Sequence, residues 1–183
     1  MVIKKWNTIE TSQAANLKIF NAQWIRRIHP ETKVTGNFVV LDSPQWVNII
    51  PITKNNEVVL IEQYRHGSDS VTIEIPGGLI ERGEEPIKAG MRECLEETGF
   101  SSALQPVLLG ETSPNPAFLN NSCYSFLWQD CELTDKQKFD EHEDINVILV
   151  PLVEIKNYLI ESRINHSLVM NAFFLYFLKN GMI

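Results

Sequence analysis

The apolar positions of the chain fall into short runs with two different periods. Residues 46–52 and 58–64 are nearly continuous apolar runs rich in Val and Ile, with Lys54, Asn55 and Asn56 between them. They predict two buried strands joined as a hairpin, the polar triplet being the turn. Residues 71–75 alternate β-branched and polar positions and stop at Pro76, a third strand. Further strands are predicted at 17–20, 37–40, 106–109, 122–128 and 146–150. The period lengthens in three places. A helix follows the Gly77-Gly78 loop, with Pro86 in its first turn, where a missing N–H costs little, and Gly99 just past its end. Residues 153–161 place Ile155, Leu159 and Ile160 on one side of a second helix. Residues 167–179 form a third, with a stripe of Phe173, Phe174, Tyr176 and Phe177 that reads as a core face or, in the minority reading, as a dimer contact. Mixed strands, few helices and a strand–loop–helix connection predict an α/β sandwich.

Glu93, Glu96 and Glu97 stand at i, i+3 and i+4 of the first helix and so share one face. Three carboxylates on one face repel each other unless something positive lies among them. A hard divalent cation with oxygen ligands, most simply Mg²⁺ with Mn²⁺ as a substitute, satisfies that need. The alternative is a solvated face paired with Lys or Arg. A bare guanidinium at Arg92 would oppose a cation, so Arg92 is expected to pair with a carboxylate and lock the loop to the helix. Glu84, eight residues earlier, is its expected partner or a helper in orienting ligands.

The run from Gly78 to Phe100 reads Gly, five residues, Glu84, seven residues, Arg92-Glu93, Cys94, Leu95, Glu96-Glu97, Thr98, Gly99, Phe100. It resembles the Nudix box, in which Gly78, Glu84, Arg92, Glu93, Glu96, Glu97 and Gly99 fill every fixed place. Cys94 and Phe100 stand where the box has aliphatic residues; both are apolar, which changes packing rather than chemistry. The wider chain is similar to the nucleoside-diphosphate-sugar branch of Nudix hydrolases, whose best-known members are ADP-ribose pyrophosphatases. The residues that carry this are 62–67, 74–78 and two prolines beyond the box.

The resemblance implies an α/β/α sandwich with a mixed central sheet (residues 41–183) and a small N-terminal β extension (residues 1–40) that pairs two subunits into a homodimer. It implies Mg²⁺-dependent hydrolysis of a nucleoside diphosphate sugar, ADP-ribose foremost, to a nucleoside monophosphate and a sugar phosphate. Glu93 and Glu97 are then the firmest metal ligands, with Glu96 beside them and the Gly77 carbonyl completing the shell. Gly78, Glu84, Arg92 and Gly99 are structural members of the box. The acidic stretch from Asp140 to Asp144 occupies the place of a catalytic loop, with Glu141 as base and Glu143 as an extra metal ligand, or the two exchanged by a slip of two residues. A solvated acidic loop is the plainer reading. Arg65 falls where the branch sets an arginine against substrate phosphate, a task suited to its fork; the plainer reading is a surface arginine. Glu74 is expected at the sugar hydroxyls or the site water, or simply on a strand face. Pro114 and Pro116 lie 15 and 16 residues beyond Gly99 and Phe100 and would shape the pocket wall, although Ser-Pro-Asn-Pro stands here in place of the branch's Ser-Pro-Gly. Trp46 and Phe38 have flat rings that suit a nucleobase or the core.

Composition narrows the remaining choices. The 183 residues suit one domain with a sizeable core. A net charge of −7 argues against nucleic-acid or membrane partners, but not against a phosphorylated small molecule. Cys94, Cys123 and Cys131 lack metal-binding spacing and read as reduced thiols, and no apolar run reaches membrane length, so a cytoplasmic location is expected. Two rival functions remain open. One is hydrolysis of another nucleotide, such as NADH, a dinucleoside polyphosphate or GDP-mannose. The other is a non-catalytic nucleotide sensor, which lost box glutamates would favour; all are present.

Overall fold

The computed structural model describes residues 3–138 and 144–182. Contacts gather the chain into two compact units, Met1–Gln45 with Ser113–Ser122, and Trp46–Thr112 with Cys123–Ile183.

The first unit carries an antiparallel three-stranded sheet of β1 (Asn7–Asn16), β2 (Asn21–Ile28) and β3 (Thr35–Asp42), in that order. The strand predicted at 17–20 is instead the β1–β2 turn. Leu17 N–H donates to the Phe20 carbonyl at 2.8 Å, Asn16 Oδ1 accepts from the Lys18 N–H at 3.0 Å, and Lys18 adopts φ 65°. The Asn side chain supplies the local bond that favours a turn, and the apolar Leu17 and Ile19 are left exposed at its tip. The segment Ser113–Ser122 joins this unit through the Leu41 N–H, which donates to the Phe118 carbonyl at 2.7 Å.

The second unit is a three-layer sandwich. Its sheet holds β4 (Trp46–Thr53), β5 (Glu57–Arg65), β6 (Ser70–Glu74), β7 (Gly77–Leu79), β8 (Phe100–Ser101), β9 (Val107–Thr112), β10 (Cys123–Leu133) and β11 (Ile145–Pro151). The main path runs β11-β5-β4-β10-β8, with β4 and β10 parallel. Side chains alternate along β4. Val47 and Ile49 pack with Ala89 and Cys94 of α1 (Pro86–Thr98), while Ile50 and Ile52 pack with Phe173 and Tyr176 of α3 (Ser167–Lys179). Burial on both faces explains why this strand reads as one apolar run. A 3₁₀ turn (Leu152–Glu154) leads into α2 (Ile155–Ile160), whose Ile155 joins the α3 side of the core. The aromatic stripe of α3 divides: Phe173, Tyr176 and Phe177 are buried, whereas Phe174 is 52% exposed.

The feature that makes the site is a split in this sheet. β4 and β5 form the predicted hairpin, yet their register is closed only at Ile52 and Val58. The open mouth is filled by the next segment, with β6 pairing the end of β5 and β7 pairing the start of β4. The Ile49 N–H donates to the Pro76 carbonyl at 3.0 Å across it. Pro76 cannot donate to a ladder, so the chain crosses from one strand to the other at that residue. The helix therefore starts beyond a loop that leaves from the centre of the sheet. Gly99, at φ 76°, ends α1 in the left-handed conformation glycine accepts, and its N–H donates to the Leu95 carbonyl.

Candidate active site

Two glycines and two of the three α1 glutamates, Glu93 and Glu97, meet where the split opens. Gly77 lies flat against β4; a Cβ there would come within 2.3 Å of the Val47 carbonyl oxygen. Its N–H donates to Glu97 Oε2 at 2.9 Å, so the last turn of α1 is tied to the loop. At Gly78 a Cβ would sit 2.5 Å from Glu93 Oε1, so the absence of a side chain is what admits that carboxylate. Glu97 is 5% exposed and Glu96 lies further out.

Arg92 is the hub of the loop. Its Nε and Nη2 donate to Glu84 at 2.9 and 3.0 Å, its Nη1 to Glu93 at 2.9 Å and Glu96 at 3.1 Å, and its Nη2 also to the Leu79 carbonyl at 3.1 Å. A guanidinium carries five N–H donors in one plane, and this one uses all of them. Hydrogen bonds from Arg92 hold the Glu84 carboxyl below the usual carboxylate range, against a smaller opposing effect of burial. Glu84 also closes the loop on itself by accepting the Glu81 N–H at 3.0 Å.

Three carboxylates supply the hard oxygen donors that suit a divalent cation, and the space at Gly78 is filled by one of them, so the donor chemistry fits such an ion. Among the described residues no three acidic, histidine or cysteine side chains converge on one point. Arg92 Nη1 reaches both Glu93 and Glu96, and the Gly77 N–H engages Glu97.

A second charged pair lies on the β5–β6 side of the split. Arg65 Nε and Nη2 donate to Glu74 Oε1 and Oε2, both at 2.8 Å, and Thr72 Oγ1 donates to Glu74 Oε1 at 2.7 Å. Burial opposes ionisation of Glu74, but the bonds and charge of Arg65, with Thr72 and the charge of His166, outweigh it and hold the carboxyl below its ordinary value.

Of the remaining candidates, Trp46 opens β4 opposite Leu79 and Cys123 and is half-buried. Pro114 and Pro116 belong to the first unit, in a turn organised by Asn115, whose carbonyl accepts the Leu119 N–H at 2.8 Å. Phe38, in the same unit, sets its ring edge-on to Trp6. Glu141 and Glu143 lie outside the described residues. The chain just before them is anchored on the box helix: Lys138 N–H donates to the Glu96 carbonyl at 2.8 Å, and Gln137 Nε2 donates to the Glu97 carbonyl at 2.7 Å. Sequence reasoning missed Gln137 and His166, since each acts on a residue remote in the chain, and Thr72, whose partner Glu74 matters only through its bond to Arg65. It also missed Trp24, which is 49% exposed and lines an open cleft of about 260 Å³ in the first unit with Glu10, Ser12, Arg26 and Asn37.

A carboxylate-bearing helix entered through a glycine turn from a split mixed sheet defines an α/β/α sandwich with a phosphate-chemistry site in its middle layer. The NUDIX domain model matches residues 43–169, and the chain belongs to that family. It is 31% identical to the ADP-ribose pyrophosphatase of Bacillus subtilis (strain 168) over 126 residues, 68% of this chain and 66% of that one. It is 28% identical to the methanol dehydrogenase activator of Bacillus methanolicus over 161 residues, 87% and 86% of the two chains. With the ADP compounds hydrolase NudE of Escherichia coli (strain K12) it shares 26% over 165 residues, 90% and 82%. A crystal structure of an ADP compounds hydrolase superposes with a TM-score of 0.86 at 22% identity, covering 100% of both chains, which establishes the fold. Nudix hydrolases use divalent metal ions. No helix of the described residues is long and apolar enough to cross a membrane.

Proposed function

We propose that this Nudix pyrophosphohydrolase cleaves nucleoside diphosphate sugars between their phosphates, with ADP-ribose as the foremost substrate and Mg²⁺ as the metal. The observation that carries this reading is the tie between loop and helix. Gly78 admits the Glu93 carboxylate and Gly77 holds Glu97, so two acidic side chains are fixed at the opening of the split sheet. Glu93, Glu96 and Glu97, with the Gly77 carbonyl, are the residues that would hold the ion. When bound, a divalent cation supplies neutralisation of phosphate charge and acidifies water.

The chain's own residues supply the rest. Arg92 and Glu84 keep the loop against the helix. Arg65 offers a guanidinium to the phosphates. In the acidic segment Glu141 would be the base and Glu143 the additional ligand, or the two exchanged; the described chain that precedes them holds to the box helix, Gln137 and Lys138 donating to the carbonyls of Glu97 and Glu96. Trp46 would stack on the base. The N-terminal extension of residues 1–40 would pair two subunits, and the location would be cytoplasmic. Cys123 and Cys131 suit that location as packing groups, since burial pushes both thiols up to about 12, away from reactivity.

The test is turnover of ADP-ribose, UDP-glucose, GDP-mannose and NADH with Mg²⁺ or Mn²⁺, read by phosphatase-coupled phosphate release. ADP-ribose should lead, and inertness toward all four would end the enzyme reading. Glu141→Gln and Glu143→Gln, compared in the same assay, assign the base to whichever costs more rate. A second reading, that the hydrolase modulates a partner enzyme, is favoured by the likeness to the methanol dehydrogenase activator over most of both chains. Purified methanol dehydrogenase whose rate is unchanged by the added protein would remove it.

A further inference from the structure

We propose that Glu74 is a positioning residue for Arg65 rather than a contact of the substrate, and that Thr72, Glu74 and Arg65 act as one unit. This rests on the reading of Arg65 as the phosphate-binding arginine.

The register of the two strands carries the argument. Arg65 pairs with Ser70 at the far end of β5, whereas Glu74 pairs with Ile61. Positions 61 and 65 lie on the same face, separated by about 14 Å at the usual ~3.4 Å rise. The two side chains nevertheless meet at 2.8 Å on both oxygens. The guanidinium is therefore drawn back along its strand, over the Gln63–Thr72 pair, toward the loop that begins at Pro76.

Glu74 is poorly placed to touch substrate itself. Its side chain is 4% exposed against 42% for Arg65. Oε1 accepts from Arg65 and from Thr72, and Oε2 accepts from Arg65. Nor does stability explain the arrangement, because a buried carboxylate costs desolvation that an apolar residue would avoid. What the pair provides is direction. A planar fork held along two N–H bonds has lost most of its rotational freedom before a phosphate arrives. Thr72 fixes the carboxylate in turn, from the strand position between Glu74 and the rim.

The experiment separates a positioning role from a catalytic or merely structural one. Steady-state kinetics with ADP-ribose are compared for wild type, Glu74→Gln, Arg65→Ala and the double variant. Glu74→Gln keeps the shape and removes the charge, so KM should rise about tenfold with kcat changed less than about threefold, the signature of lost uniform binding. In the Arg65→Ala background the same substitution should change KM no further, because its target is gone. A fall in kcat at constant KM would assign Glu74 to the reacting centre and overturn the proposal. So would an undiminished effect in the double variant, which would mean a contact or a structural role of its own. Should Glu74→Gln fail to fold, Thr72→Val takes its place: KM should rise several-fold and Thr72→Ser should restore it, and an unchanged KM refutes the unit. Calorimetric titration with inorganic pyrophosphate reads the same ordering without turnover. A wild-type protein that binds pyrophosphate yet hydrolyses nothing would strike the proposed function and leave this ordering measurable; a wild-type protein that binds none would overturn the inference as well.

Discussion

Replacing Arg92 with alanine removes five hydrogen bonds and strands the carboxylates they served. The side chains of Glu84 and Glu93 are 16% and 15% exposed, that of Arg92 28%, and that of Glu96 43%. Breaking a largely buried ion pair costs about 3–5 kcal/mol, because the remaining carboxylates lose their counter-charge, while the more exposed Glu96 adds at most ~1 kcal/mol. At roughly 2–4 °C per kcal/mol for a domain of this size, the melting temperature should fall by ~6–24 °C. Arg92→Lys keeps the charge but not the planar fork, so it should recover only part of the loss. Arg92→Ala with Glu84→Gln should be more stable than Arg92→Ala alone, since one stranded carboxylate is gone. The pH dependence follows from Glu84. Its folded-state value is depressed below the ordinary 4.5, chiefly by Arg92. Its contribution is thus fully present above about pH 4.5 and disappears as pH falls through the lower folded value. The gap between wild type and Arg92→Ala should accordingly be widest near neutrality and narrow in acid. Urea unfolding followed by circular dichroism between pH 3 and 7 measures both effects. A loss under ~1 kcal/mol at pH 7, or a gap that widens in acid, would refute the view of Arg92 as the clamp of the loop.

Other substitutions probe the remaining links. Gly78→Ala would place a Cβ 2.5 Å from Glu93 Oε1; the carboxylate must move, so turnover should drop at least tenfold with folding little changed, read by the coupled phosphate assay beside circular dichroism. Glu97→Gln keeps an oxygen for the Gly77 N–H and loses the charge; it should fold normally, lose activity, and lose the rise in melting temperature that Mn²⁺ gives the wild type. Phe173→Ala should cost about 3–5 kcal/mol in urea unfolding, and Phe174→Ser under ~0.5 kcal/mol, because the first ring is fully buried and the second half exposed.

How far the chain could be read from its residues depended on whether a partner is local. The box was legible because its chemistry recurs at fixed spacing on one helix. The loop clamp was legible as well, since Arg92 and Glu84 lie within one loop and helix. Likewise β4, β5, β10 and α3 announced themselves by apolar runs that burial requires. The first unit was read poorly for the opposite reason. Every position of β1 but one is exposed, so the strand has no apolar alternation to find. The nearby apolar Leu17 and Ile19 then attracted a strand assignment that belongs to a turn.

The partnership of Glu74 with Arg65 was invisible for a different reason. Nothing in the residues around 65 or 74 states that β6 inserts beside β5 in the register that sets Glu74 opposite Ile61. That register follows from the hairpin closing at Ile52 and Val58 alone, which leaves two strand edges to be covered by a single segment broken at Pro76. The same break that ends β6 delivers Gly77 and Gly78 to the box helix. One interruption of the sheet therefore fixes both the register that sets Glu74 on Arg65 and the glycine turn that receives Glu93 and Glu97. It follows that lengthening β6–β7 by one residue at the Pro76 crossing should disturb Arg65 and Glu97 together, although the two lie on different elements.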